Sequence, residues 1–239
     1  MAHRIGVLGG MGPLATQYFL DIFFQRFVRD MSPVRDQDYP DMTILMESST
    51  PDRTEAIKTN NPAAAEKIND DLKRLAEEGC RSIVVPCVTG HSLIEPKWFE
   101  RGVIDIRSAV VEEYSSHKGA RIAILATDGS LMSRVFEPLE KHFDLIYPEG
   151  TLQKDVMKVI YDSKGDNPDP TDCLNRMENI KYRMRQEGAR FFVAGCTEIE
   201  MFVGMHNRTE NMIMPMDCLC SVLLERLRSE KSIVNSSKN

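Results

Sequence analysis

No apolar run in this 239-residue chain approaches the ~18 residues that a membrane-spanning helix needs, so no span is expected. There is no excess of basic charge either. Thirty lysines and arginines stand against 36 acids, with the signs interspersed, which argues against a nucleic-acid surface and for solubility. The opening MAHRIGVLGGMGP has one early arginine, and glycines break its apolar run after a few residues, so no export leader is read. No Cys-x-x-Cys occurs. The six cysteines (Cys80, Cys87, Cys173, Cys196, Cys218 and Cys220) do not form a disulfide framework for a chain of this size, and read as reduced thiols of a cytoplasmic protein. Cys87 and His91 stand four apart, but no second ligand pair follows at zinc-site spacing, so no metal is expected.

What is present is a regular alternation. RIGVLG (4–9), MTILME (42–47), SIVVP (82–86), RIAILA (121–126), FDLIYP (143–148), RFFVAG (190–195) and NMIMPM (211–216) read as strands. They lack polar alternation, as strands of a parallel sheet covered on both faces do. Helical stretches lie between them. One has Asn61 as its N-cap, Pro62 in the first turn and Gly79 at its stop; another opens at Thr171 and closes at Gly188. The fold class is α/β.

A repeat at about half the chain length organises the rest. EEGCRSIVVPCVTGH (77–91) aligns with QEGARFFVAGCTEIE (186–200), and RIGVLGGMGPLAT (4–16) aligns more loosely with RIAILATDGSLMS (121–133). This predicts two similar α/β lobes, each a parallel sheet flanked by helices, related by a pseudo-twofold axis with the active site in the cleft between them. The first lobe takes residues 1–105 plus 215–239, a C-terminal helix around Asp217–Arg228 returning to it; the second takes 106–214. Ligands of open α/β sheets bind beyond the carboxyl ends of the strands, where both Cys87 and Cys196 fall.

Most cysteines are small core hydrophobes, and that reading suits Cys80, Cys173, Cys218 and Cys220. Cys87 and Cys196 differ because they hold matched positions in the two halves. One thiol on each side of a small ligand suits inversion of an α-carbon: a thiolate removes the proton and a thiol on the opposite face returns one. Free cysteine titrates near ~8.5, within reach of neutral pH, and a helix N-terminus favours the thiolate.

GVLGGMGPLAT, PCVTGH and GCTEIE resemble the aspartate/glutamate racemase family, in particular its aspartate racemase and broad amino-acid racemase branch. The likeness runs over essentially the whole chain, with STPDRT (49–54) and IYDSKG (160–165) in family order. It implies two-lobed enzymes that need no pyridoxal phosphate or other cofactor, use one cysteine from each lobe, and are commonly dimeric; a homodimer is the expectation. By this resemblance Cys87 and Cys196 are the acid/base pair, and Lys164 corresponds to a lysine that reaches the substrate's distal carboxylate. The sequence departs from the family where Val88 stands for Asn, Gly90 for Ala and Glu200 for Pro. Valine cannot hydrogen-bond the substrate as asparagine would.

Other candidates carry two readings each. Met11 and Gly12, in the glycine loop, offer backbone N–H groups to a carboxylate, or form a plain tight turn. Arg53 is a bidentate carboxylate fork, placed by the resemblance at the distal carboxylate, or a solvated surface residue. Thr89, Thr127, Ser130 and Thr197 bind the α-carboxylate or cap helices. His91 polarises the Cys87 thiol or packs; Glu198 complements a helix dipole. The loop GMGPLA also fits the dinucleotide fingerprint, so an NAD(P)-dependent oxidoreductase is a remote alternative, weakened because no acid stands at the right distance on the second strand. The expectation is an amino-acid racemase, aspartate first and glutamate second. The alternatives are another amino acid on the same scaffold, prompted by Val88, and a binding protein without turnover.

Overall fold

The computed structural model describes residues 4–163 and 170–236, with side chains through Ser229. In chain order the elements are β1 (Arg4–Gly9), α1 (Pro13–Met31), β2 (Asp41–Met46), α2 (Arg53–Thr59), α3 (Ala63–Glu77), β3 (Cys80–Val84), α4 (Pro96–Glu100) and α5 (Ile106–Glu113). They continue with β4 (Arg121–Ala126), α6 (Asp128–Met132), β5 (Asp144–Ile146), α7 (Gly150–Asp162), α8 (Pro170–Gln186), β6 (Phe191–Gly195), α9 (Thr197–Met205), β7 (Met212–Ile213) and α10 (Pro215–Ser236). The first sheet has the order β2-β1-β3 and the second β5-β4-β6-β7, and every pairing is parallel. Among the described residues no helix is long and apolar enough to cross a membrane.

All seven expected strands are present, β1 and β4 with the expected bounds and the other five with shifted ends. β3 stops at Val84 rather than running to 86, because Pro86 has no N–H for the ladder and the Cys87 N–H turns back to the Val85 carbonyl at 2.7 Å. β7 is only Met212–Ile213, cut short as Pro215 opens α10. Pro62, not Asn61, occupies the N-cap of α3, although the Asn61 side chain still accepts the Ala63 N–H at 3.0 Å. α8 opens at Pro170, one residue ahead of Thr171. Gly79 and Gly188 follow their helices at φ +79° and +92°, where a side chain would strain the backbone. α2 has no counterpart in the sequence pattern.

The side-chain period of two sorts each central strand between layers. Ile5 and Val7 of β1, and Ile122 and Ile124 of β4, face a layer between the sheets that also holds Phe19, Phe23 and Phe27 of α1 and Leu219 and Leu223 of α10. Leu8 faces the other way, onto Ile68, Leu72 and Leu75 of α3. Ala123 and Leu125 face α7 and α8 through Val156, Ile160, Met177 and Ile180. The edge strand β2 departs from the both-faces-covered expectation, with Ile44 and Met46 exposed.

α10 is pinned at both ends of its described part. Arg26 of α1 donates to the Asp217 carbonyl at 2.7 Å and its carboxylate at 2.8 Å, and Arg226 donates to the Gly102 carbonyl at 3.1 Å. Its first turn is capped from another helix. Glu200 of α9, fully buried, accepts the Met216 N–H at 2.8 Å and the Asp217 N–H at 3.0 Å. A proline there, as the resemblance expects, would offer these donors nothing.

Burial raises the Glu200 pKa from 4.5 to about 8, against the opposing pull of the two N–H bonds. A carboxyl raised in the folded state contributes stability that is complete below its unfolded pKa and lost as pH rises through about 8. The melting temperature is therefore expected to decline between pH 5 and 9 at constant ionic strength, and to decline less in Glu200→Gln. That variant, which turns one acceptor into a donor, is expected to be less stable by ~1–3 kcal/mol at the acid end. Parallel pH profiles for the two proteins would refute the assignment.

Candidate active site

The carboxyl ends of the two sheets open on one small cavity. Its walls are Met11, Asp52, Arg53, Thr54, Cys87, Val88 and Thr89 from the first half of the chain, and Thr127, Cys196, Thr197 and Glu198 from the second. Cys87 lies just past β3, and its turn is held by His91: Nδ1 contacts the Cys87 carbonyl at 2.9 Å, and Nε2 lies 3.4 Å from the Ile104 carbonyl. His91 thus grips the cysteine's backbone rather than its thiol. Burial holds its pKa below the usual histidine value, which keeps the ring neutral at pH 7.

Cys196 immediately follows β6 and is the N-cap of α9. Its Sγ donates to Glu198 Oε2 at 2.8 Å, and the Thr197 hydroxyl donates to the same oxygen at 3.3 Å. Glu198 is buried and reaches across to the other half of the chain. A Cβ on Gly12 would sit 3.1 Å from Glu198 Oε1, so a bare glycine there leaves room for the carboxylate. Sequence reasoning assigned Glu198 to the helix dipole; the structure gives it a direct bond to a cysteine as well.

Thr89 and Thr127 meet from opposite halves, with hydroxyls 3.2 Å apart. Thr127 caps α6 by accepting the Ser130 N–H at 3.1 Å, so it both caps a helix and faces the cavity. Ser130 stands behind this pair, fully buried, its hydroxyl 2.8 Å from that of Thr89; it supports the wall without lining it. Gly129 seats α6 against α2, since a Cβ there would approach the Thr54 Cα to 2.7 Å, and Lys58 pairs with Asp128 beside it at 3.3 Å.

Arg53 opens α2 behind Asp52, whose carboxylate accepts the Glu55 N–H at 2.8 Å. The guanidinium donates to the carbonyls of Met11, Pro51 and Thr50 at 2.9, 3.3 and 3.4 Å. These neutral acceptors orient the fork without cancelling its charge. Asp52 and Thr54 were not singled out from the sequence, although Asp52 three residues before Glu55 is a helix-start signal. Val88 lines the cavity and is also part of the layer between the sheets. Met11 lines the cavity through the loop that Gly12 closes. Lys164 lies outside the described residues.

The dinucleotide reading has no acid to spare. Glu47, just past the end of β2, is paired with Lys67 at 2.9 Å and Arg74 at 2.7 Å, and these partners hold its carboxyl below the usual range. Asp38 is turned onto the Val34 and Arg35 N–H groups. The Gly10 N–H, which the fingerprint would aim at a phosphate, donates to the Thr16 hydroxyl at 3.1 Å.

Several racemases are similar to this chain. The broad-specificity amino-acid racemase RacX of Bacillus subtilis is 25% identical over 198 residues, covering 82% of this chain and 85% of that protein. Picrophilus torridus aspartate racemase superposes with a TM-score of 0.75 at 21% identity, over 94% of both chains. Allantoin racemase from Klebsiella pneumoniae superposes with a TM-score of 0.57 at 14% identity, over 96% of this chain and 89% of that one. The sequence profile of the Asp/Glu/hydantoin racemase family matches residues 8–223, and the protein belongs to that family.

Proposed function

We propose that this protein is a cofactor-independent amino-acid racemase, acting on aspartate first and glutamate second, by two-base proton transfer at the α-carbon between Cys87 and Cys196. The observation that carries the reading is that one cysteine from each sheet lines the same cavity. A substrate held between them presents opposite faces of its α-carbon to the two sulfurs. One thiolate takes the α-proton, the other thiol delivers a proton to the far face, and the roles exchange with the substrate's hand. Glu198, bonded to Cys196 Sγ, is placed to take the thiol proton as the base forms.

The carbanion needs its charge spread onto the α-carboxylate, which calls for donors fixed before the reaction. Thr89 supplies a hydroxyl on the wall, held by its contacts with Thr127 and Ser130, and Thr127 and Thr197 would turn their hydroxyl protons from Ser130 and Glu198 to the bound substrate. Arg53, with Lys164 as its partner, would hold a distal carboxylate.

One observation favours a second reading on the same scaffold. The described wall sets one cation, Arg53, against two acids, Asp52 and Glu198, and places an apolar side chain at Val88. That balance also suits an amino acid with a single carboxylate.

Incubation with L-aspartate in deuterated water is expected to place deuterium at Cα and to produce the D-isomer. Cys87→Ala and Cys196→Ala should each abolish racemisation, and Glu198→Gln should slow it by roughly 10²-fold, the scale of one acid/base group. Exchange into other amino acids but not aspartate would select the second reading, and exchange into none of the twenty would overturn both. Arg53→Gln is expected to raise KM for aspartate by about tenfold or more while leaving KM for alanine nearly unchanged, as loss of a bidentate carboxylate contact does. Equal effects on both substrates would remove Arg53 from the distal subsite.

A further inference from the structure

We infer that Glu200 is a positioning residue for Cys196, acting through the rotation of α9; this rests on reading Cys196 as an acid/base group. Cys196 is the N-cap of α9, and Glu200 follows four residues later, one helical turn below it on the same stripe. Glu198, between them in sequence, points its carboxylate to the cavity, with Gly12 opposite. Glu200 points to α10, where both of its oxygens take first-turn N–H groups. The helix is thus held by two carboxylates on different sides, one at the chemistry and one at a fixed anchor.

The anchor is itself tied to the other wall of the cavity. Asp217, which donates its N–H to Glu200, is gripped by Arg26, and Arg26 also donates to the Ser221 hydroxyl at 2.9 Å. Arg26 belongs to α1, which starts at Pro13 immediately after Met11 and Gly12. The path Cys196, α9, Glu200, α10, Arg26, α1 therefore joins the cysteine of the second sheet to the glycine loop of the first. Releasing Glu200 loosens one seat of α9, and Cys196 and Glu198, which ride together on its first turn, then shift against Gly12 and the facing wall of the cavity.

The test is alkylation of the folded protein by iodoacetamide, with Cys196 and Cys87 quantified in the same sample by peptide mass spectrometry. In Glu200→Gln the ratio of the two rates is expected to change by about threefold or more, with the Cys87 rate itself constant, because thiol reactivity follows local environment. In racemisation kcat should fall by about tenfold with KM within about twofold, the pattern of a misplaced catalytic group. Glu198→Gln should cost less in the Glu200→Gln background than alone, since the Cys196–Glu198 pair is already displaced from the facing wall. Glu200→Asp, which keeps both acceptors on a shorter arm, should shift the ratio in the same direction by less, and serves if the glutamine variant does not fold. An unchanged labelling ratio, or fully multiplicative effects of the two substitutions, would overturn the inference. If the wild-type protein racemises nothing, the proposed function fails, and the labelling ratio still decides the role of Glu200.

Discussion

The apolar layer between the two sheets sets where Cys87 stands relative to Cys196. Cys87 follows β3 at the edge of the first sheet and Cys196 follows β6 inside the second, and the two strands send Val84 and Val193 into that common layer. Close packing makes such a layer stiff, so the two sheets hold a nearly fixed offset. α1 and α10 fill the same layer, and the glycine loop and α9 are attached to them. The cavity is small because its size is fixed by what surrounds it rather than by its own lining.

Polar contacts then close the walls locally. The two halves meet through small groups: Gly129 against Thr54, Gly12 against the Glu198 carboxylate, and the Thr89 hydroxyl against those of Thr127 and Ser130. Each contact needs a short side chain on at least one partner, and the threonines turn their remaining capacity toward the cavity. His91 and Glu200 act one step further out, on the backbone of the Cys87 turn and on the helix that Cys196 caps. The charges of the region are arranged in the same spirit. Lys67 and Arg74 are spent on Glu47 and Asp71, whereas Arg53 is oriented by backbone carbonyls, which leave its charge uncancelled.

The layered α/β fold was legible because β1, β4 and β6 are apolar on both faces, which only a doubly covered parallel strand tolerates. The strand ends were less so. Pro86 and Pro215 mark breaks in the ladder, but an apolar run continues through each, and only hydrogen-bond pairing shows where the strand stops. Asn61 misled by one position because its side chain caps from outside the helix, with Pro62 between. The helix of Arg53–Thr59 was hidden because it is short, has no apolar stripe, and meets the other half of the chain through polar residues, Thr54 against Gly129 and Lys58 on Asp128.

The amino-acid order alone determined which residues could reach the cavity from their strands. Cys87, Cys196, Met11, Thr89, Thr127 and Thr197 all lie just past a strand end, a place set by local chain direction. Tertiary structure alone decided what each of them touches. Glu198 bonds the Cys196 thiol, Glu200 turns away to cap α10, and Ser130 sits behind the threonines, although the spacing of all three is equally compatible with surface helix positions. The physical reason is that a helix start fixes a residue's height but not its neighbour, and the neighbours here range from Cys196, two residues from Glu198, through Met216, on the helix after Glu200's own, to Thr89, in the other half of the chain from Ser130.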